Sequence, residues 1–318
     1  MDPSFRPDQF KPEAVSDETR AINAALAHRL AGAVPPVDIA AARASFTRGE
    51  GPIPATQRSP RAETISINGQ NGQQISLRVI APPAPKGVFL HIHGGGWWVG
   101  SADMRDGDLE RVTERTGLAC VSVDYRLAPE HPYPAGPDDC EAAARWLIAH
   151  AKERFGSTRL VIGGESAGAH LAVVTLLRLR DAGHRHEFCG ANLIFGVYDL
   201  TLTPSARKAE ATLVTNRRRI EAATTAFLPA DADRRDPDIS PIQADLSGLP
   251  PALFTVGTLD PLLDDSLFLH ARWIAAGNVA ELAVYPGGVH GFTTFPGKLA
   301  AEANARIDRF MAEAAALP

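Results

Sequence analysis

RLVIGGESAGAHLAVVTLL, Arg159–Leu177, is the stretch on which the fold turns. Its first residues, RLVI, are a short apolar run suited to a buried strand. Its last residues, from Ala167 onward, read as a helix. Between them Gly164-Glu165-Ser166-Ala167-Gly168 has the spacing G-x-S-x-G. A strand that turns into a helix so sharply leaves room only for small side chains beside the serine. The serine is then held strained, with its hydroxyl exposed at a helix N-terminus, where developing negative charge is favoured. The spacing alone also occurs in ordinary glycine-rich turns. The strand before it and the helix after it give it weight.

The pattern around this elbow repeats. VFLHIH, LACVSVDY, ANLIFGVY, ALFTVGTLD and AELAVYP are further short apolar strands, and most intervals between them hold helical segments. AGPDDCEAAARWLIAHAKERFG, SAGAHLAVVTLLRLRDAG and SLFLHARWIAAG are examples, the last two with a glycine at or just past the end. Near-continuous apolar strands alternating with helices predict an α/β class with a mostly parallel, twisted sheet covered by helices on both faces. ETISING and QQISLRVIAPP, separated by a Gly-Gln-Asn-Gly turn, predict an antiparallel hairpin at one edge of it. A last amphipathic helix is expected from about Leu299 to Ala315.

The N-terminal segment has its own helical periodicity at Ile22, Leu26 and Leu30. Pro35 and Pro36 should end that helix, and a short alanine-rich one should follow from about Asp38. Residues 200–230 are long, charged and helix-prone where a strand would be due, and such an insertion is more often functional than idle. Residues 1–50 are therefore read as cap helices and 51–318 as the catalytic domain, with 200–230 contributing to the cap.

A serine hydroxyl is a poor nucleophile near neutral pH and needs a base within hydrogen-bond reach and a group to orient that base. Where this elbow occurs the partners follow in the order Ser, acid, His. His290 lies just after the strand AELAVYP in the tight loop GGVHGF, at the strand ends where α/β sites gather. His270 lies inside a helix, and His184 and His186 in a polar loop. Asp260 ends the run ALFTVGTLD, one strand before His290, and is the favoured acid. Asp264 and Asp265 compete, but look like first-turn residues of the next helix.

HIHGGGWWVG, His91–Gly100, admits several readings. His91 and His93 would share a strand face, as a metal pair requires, but no third ligand follows at metal spacing, so no metal is expected. A phosphate loop needs Lys and Ser or Thr after the glycines, and a dinucleotide fingerprint fails at Val99. An oxyanion hole is left: bare glycine N–H groups can approach an ester carbonyl oxygen, and the N–H of Ala167, the residue after the nucleophile, would complete it.

Bulk composition narrows the classes. The net charge of −5 in 318 residues gives no electrostatic reason to expect nucleic acid or an anionic membrane as partner. The start, MDPSFRPDQF, lacks the apolar core of a signal peptide, and no apolar run nears the roughly 18 residues of a membrane span. Three cysteines, far apart, suggest neither a disulfide framework nor a zinc site. The expected setting is cytoplasmic.

Taken together, HGGGW (His93–Trp97), DYRLAPEHPYPA (Asp124–Ala135), GESAG (164–168), DPLLDD (260–265) and HGF (290–292) stand in the order seen in the hormone-sensitive-lipase-like esterases. DISP (238–241) and SGLPPAL (247–253) also look like that family, and the resemblance spans roughly residues 40–317. It is similar to the family's bacterial carboxylesterases, with GESAG where many members read GDSAG. The resemblance implies an α/β-hydrolase fold with a helical cap. It implies Ser166, Asp260 and His290 as the triad, and Gly95, Gly96 and Ala167 as oxyanion donors, with Gly94 as a further candidate. It also implies that His93 and the DYRLAPE segment brace the glycine loop, and that Glu165 hydrogen-bonds behind the site; a bland role for Glu165, favouring the helix start, stands beside this. Trp97, Trp98 and Tyr198 are candidates to line the substrate pocket, with Trp98 equally readable as core. The expected activity is hydrolysis of short acyl esters through an acyl-enzyme, without cofactor or metal. The same triad would serve an amidase, formamidase or lactonase. A non-catalytic receptor of this fold is disfavoured by an intact His290. A homodimer built on the last strand and helix is permitted.

Overall fold

The computed structural model of the chain describes residues 6–31, 38–55 and 57–316. Pro35 and Pro36, expected to end the first helix, lie outside the described residues. Among the described residues eight strands form one sheet: β1 (Glu63–Asn68), β2 (Gln74–Ile80), β3 (Gly87–Ile92), β4 (Leu118–Asp124), β5 (Leu160–Glu165), β6 (Phe188–Ile194), β7 (Ala252–Gly257) and β8 (Ala280–Tyr285). Their spatial order is β1-β2-β4-β3-β5-β6-β7-β8. The hairpin β1–β2 is antiparallel and joins β4 antiparallel at one edge, while β3 through β8 run parallel.

Every residue of β3, β5 and β7 is buried. This is what continuous apolar runs require when helices cover both faces. Among the helices, α3 (Asp106–Thr116) packs with α9 (Lys298–Ala316), and α4 (Ala135–Phe155) packs with α5 (Ala167–Asp181). α8 (Leu263–Ala275) covers β7 and β8. Gly117 and Gly156, both in the left-handed region, end α3 and α4, where a side chain would be strained.

The N-terminal segment forms α1 (Asp17–Ala31) and α2 (Ile39–Thr47), the latter capped by the Asp38 carboxylate, which accepts the Ala41 N–H at 2.7 Å. Residues 200–230 form α6 (Pro204–Lys208) and α7 (Arg217–Phe227). These two parts of the chain meet. Leu26 and Leu30 of α1 pack with Leu213 and Val214 and with Val289, which precedes His290. Asn23 donates to the Gly287 carbonyl at 2.9 Å, so α1 also holds the loop that carries His290.

One strand differs from its sequence pattern. ANLIFGVY reads as a single strand to Tyr198, but β6 starts earlier, at Phe188, and stops at Ile194. Phe195 there has a φ of 35°, and its N–H donates to the Thr255 carbonyl, which turns the chain. Tyr198 is thereby carried back into the core, fully buried and edge-on to Phe254.

Candidate active site

Ser166 sits at the N-cap of α5 with φ 56° and ψ −120°, a conformation non-glycine residues rarely hold. Two contacts enforce it. Its N–H donates to Ile194 O on β6, and its carbonyl accepts the first turn of α5 from His170 N. The flanking glycines are demanded by space: a Cβ at Gly164 or Gly168 would stand 2.0 or 1.9 Å from the Ile92 carbonyl oxygen at the end of β3. The elbow and the end of β3 are in direct backbone contact, and any side chain there would force them apart.

His290 lies between Ser166 and Asp260. Its Nε2 is 2.9 Å from Ser166 Oγ, and its Nδ1 is 2.9 and 3.1 Å from the two Asp260 oxygens. A carboxylate only accepts, so Nδ1 carries the hydrogen and Nε2 is the acceptor facing the hydroxyl. Asp260 and His290 are buried, at 3% and 8% exposure, while Ser166 is open to the cavity. Asp260 is further fixed by the Leu262 N–H, and the ring of His290 stands edge-on to Phe195 at 4.9 Å. The competing acids are engaged elsewhere. Asp264 accepts from Ser205 N, and Asp265 accepts from Tyr198 N, Asp199 N and the Thr203 hydroxyl, fastening the loop after β6 to α8.

The glycine loop follows β3. Gly95 and Gly96 have φ of 117° and 59°, so the chain curls and Gly95 O accepts both Trp98 N and Val99 N. Among the described residues no protein acceptor meets the N–H of Gly95, Gly96 or Ala167. Gly94 differs. Its N–H donates to Glu165 Oε1 at 3.2 Å, so it is a structural donor and does not join the free set.

Glu165 is the hub behind the loop. Beyond Gly94, its carboxylate faces Arg105 Nε at 3.2 Å and His91 Nε2 at 3.0 Å, and His91 Nδ1 reaches Ser122 Oγ at 2.8 Å. Burial opposes its ionisation, but Arg105, His91 and the Gly94 N–H together hold the carboxyl well below the usual carboxylate range. His91 is thus an interior strand residue with a carboxylate partner. His93 stacks on Tyr125 at 4.3 Å and bonds the Gly94 carbonyl through Nδ1, while the Tyr125 hydroxyl donates to His93 O. Burial pushes the His93 pKa down. The DYRLAPE segment therefore touches the loop through Tyr125 and through Ala128, whose N–H donates to Trp97 O.

A cavity of about 690 Å³ opens over Ser166 and His290. Its floor is the glycine loop. Its outer wall is largely apolar, from Leu30, Ile39 and Phe46 on the N-terminal side and Val214, Ile220 and Ala223 on the other, with Glu50 and Arg219 also on the lining. Of the two tryptophans in the glycine loop, both of which line the cavity, Trp97 is 3% exposed and stacked on Phe227 of α7; Trp98 is the more open of the two. Tyr198 does not line the cavity: the turn at Phe195 buries it, and Phe195 and Val197 take that wall.

Some residues that shape the site carried no motif. Arg43 of α2 donates to Trp98 O and Ala128 O and forms a bidentate pair with Glu130, tying α2 to the glycine loop. His170 accepts the Trp97 indole N–H. Asn23 and Arg105 act at similar remove. The histidine four residues past the elbow serine was a readable signal for His170; nothing in sequence spacing marks Arg43. Among the described residues no cluster of His, Cys, Asp or Glu could hold a metal ion, and no helix is long and apolar enough to cross a membrane.

Known proteins of similar sequence and structure are esterases. Residues 89–294 match the family described as alpha/beta hydrolase fold. Carboxylesterase NlhH of Mycobacterium tuberculosis is 35% identical over 250 residues, covering 74% of this chain and 76% of that protein. Ethyl acetate hydrolase of Pseudomonas putida is 31% identical over 240 residues, covering 72% and 74%. A solved structure of an esterase from Pyrobaculum calidifontis superposes with a TM-score of 0.83 at 29% identity, covering 95% of this chain and 100% of that one. With an eight-stranded α/β sheet, a strained serine elbow and these relatives, the chain belongs to the α/β-hydrolase family, in its hormone-sensitive-lipase-like carboxylesterase branch.

Proposed function

We propose that this protein is a serine carboxylesterase that hydrolyses short-chain acyl esters through an acyl-enzyme. The observation that carries it is the single imidazole of His290 within hydrogen-bond distance of both Ser166 Oγ and the Asp260 carboxylate. Ser166 Oγ attacks the ester carbonyl carbon as its proton passes to His290 Nε2. Asp260 holds the ring orientation and stabilises the imidazolium. The carbonyl oxygen becomes an oxyanion and meets the free N–H groups of Gly95, Gly96 and Ala167. Collapse breaks the bond to the alcohol oxygen, which takes the proton from His290. Water then repeats the cycle on the acyl-serine and releases the acid. No step requires a cofactor.

Residues 1–50 and 200–230 act here as a cap that sets which esters enter, supported by the place of Leu30, Ile39, Phe46, Val214 and Ile220 on the outer cavity wall. The cavity volume is well within the roughly 300–1,000 Å³ of small-molecule sites, which leaves room for a bulky apolar alcohol beside a short acyl group. A homodimer through the β8 edge is supported by the exposed apolar Phe268, Ile274 and Val279 beside that strand. A cytoplasmic setting is supported by the three free cysteines.

The test is stopped-flow release of nitrophenol from p-nitrophenyl acetate, with Ser166→Ala alongside. The expected result is a burst equal to the enzyme concentration, absent in the variant. No turnover of any short ester by the wild type would overturn the proposal.

A further inference from the structure

We propose that His170 is a positioning residue for the oxyanion donors, acting through Trp97. This rests on the esterase reading of the site. Gly95, Gly96 and Trp97 have three consecutive positive φ values, of 117°, 59° and 64°. Glycine takes such angles freely, but a bulky residue does so only when its surroundings dictate it. Trp97 is therefore where the curl of the loop must be enforced.

Its surroundings supply three fastenings. The carbonyl accepts Ala128 N at 2.9 Å, the indole stacks on Phe227 at 4.6 Å and 14°, and the indole N–H points to His170 Nδ1 at 3.2 Å. The third depends on tautomer. His170 Nε2 lies 2.8 Å from the Ile239 carbonyl, which only accepts, so Nε2 carries the hydrogen and Nδ1 is left as the acceptor an indole donor needs. The ring is fully buried, and burial pushes its pKa down to about 4, which keeps Nδ1 unprotonated near neutral pH.

The position of His170 gives the contact its consequence. It lies one helical turn after Ser166 on α5, with its N–H on the Ser166 carbonyl. Glu165, immediately before Ser166, holds the Gly94 N–H. The two side chains that flank the nucleophile thus fasten the two ends of the Gly94–Trp97 segment. Between those fastenings lie the Gly95 and Gly96 N–H groups. Their placement relative to Ser166 Oγ is set by one short, rigid piece of strand and helix, as preorganised donors require. Glu165 takes the near end with a charge, and His170 takes the far end with a neutral acceptor.

The test uses the full chain and p-nitrophenyl acetate, with Trp97→Phe, His170→Leu, the double variant, and His170→Asn. Trp97→Phe removes the indole donor and keeps an aromatic ring on Phe227. His170→Asn keeps an oxygen acceptor where Nδ1 stands. We expect Trp97→Phe and His170→Leu each to lower kcat by about 10- to 100-fold with KM changed less than about threefold, because the lost placement matters mainly in the transition state. The double variant should be no worse than the poorer single one, since both remove the same bond. His170→Asn should recover most of the lost kcat. If His170→Leu does not fold, the pair Trp97→Phe and His170→Asn carries the same contrast. Wild-type turnover reports on the esterase reading, and the ratios among variants report on His170. Equal kcat in folded wild type and Trp97→Phe, or losses that multiply in the double variant, would overturn the assignment while leaving the esterase reading standing.

Discussion

Gly168→Ala isolates the backbone contact between the serine elbow and the end of β3. The added Cβ would lie 1.9 Å from Ile92 O and 2.7 Å from His93 O, both main-chain atoms. To reach ordinary contact the gap to Ile92 O must open by about 1.5 Å. Neither side yields easily: Ile92 is paired to β4 and β5, and α5 packs on α4. Overpacking of this kind costs about 1–3 kcal/mol of stability. The larger effect is on rate, because the displaced carbonyls lead directly into the glycine loop. A misplacement of about 1 Å in a catalytic constellation lowers turnover about 10²-fold. Gly168→Ala should therefore lower kcat/KM for p-nitrophenyl acetate by about 100-fold. Gly156→Ala is the control, since Gly156 has φ 74° with open space around it at the end of α4. It should lower stability by about 1–2 kcal/mol through backbone strain alone and leave the rate unchanged. Urea denaturation and initial rates on both variants give the comparison. A Gly168→Ala enzyme within about threefold of wild type in kcat/KM would refute the reasoning.

Three other outcomes follow from the same geometry. Asp260→Asn should lower kcat by about 10⁴-fold with little change in fold, because an amide facing Nδ1 no longer secures the tautomer that leaves Nε2 as base; a loss under tenfold in steady-state assays would contradict this. His170 has a folded pKa near 4 against an ordinary 6.5, so the unfolded chain takes up a proton first as pH falls. Its neutral burial thus contributes fully above pH 6.5 and less as pH drops toward 4, a difference of at most about 3 kcal/mol that His170→Asn should remove from the urea-unfolding profile; parallel profiles for the two proteins would count against it. Ala42→Trp fills the outer cavity wall on α2 and should lower kcat/KM for p-nitrophenyl octanoate at least about tenfold while the acetate stays within about threefold; equal losses on both substrates would argue that α2 does not gate length.

The catalytic candidates were legible because each sits at the end of a strand whose apolar run is plain, and because a sharp turn leaves glycines behind as a record. Ser166, Asp260 and His290 can be paired by their order along the chain alone. The donors were less so. A run of three glycines says that backbone amides can approach a ligand, but not which of them are already bonded. Gly94 was removed from the set by Glu165, a contact between residues 71 apart in sequence. Tyr198 was misplaced for a related reason: an apolar run signals burial, and the left-handed Phe195 that ends the strand leaves no mark in hydrophobic periodicity. Trp97 and Trp98 are adjacent and alike in composition, so only the stack on Phe227, far along the chain, separates the buried one from the open one. Arg43 was invisible because an arginine on a short alanine-rich helix is ordinarily solvent-facing, and its role depends on carbonyls at Trp98 and Ala128.

Ser166 as the nucleophile of an ester hydrolase is tested most directly by titrating the enzyme with a p-nitrophenyl phosphonate ester and mapping the adduct by mass spectrometry. The expected result is one equivalent of nitrophenol released per chain, loss of esterase activity in proportion, and the phosphonyl mass on the peptide containing Ser166. Labelling at another residue, or turnover that persists in Ser166→Ala, would contradict it.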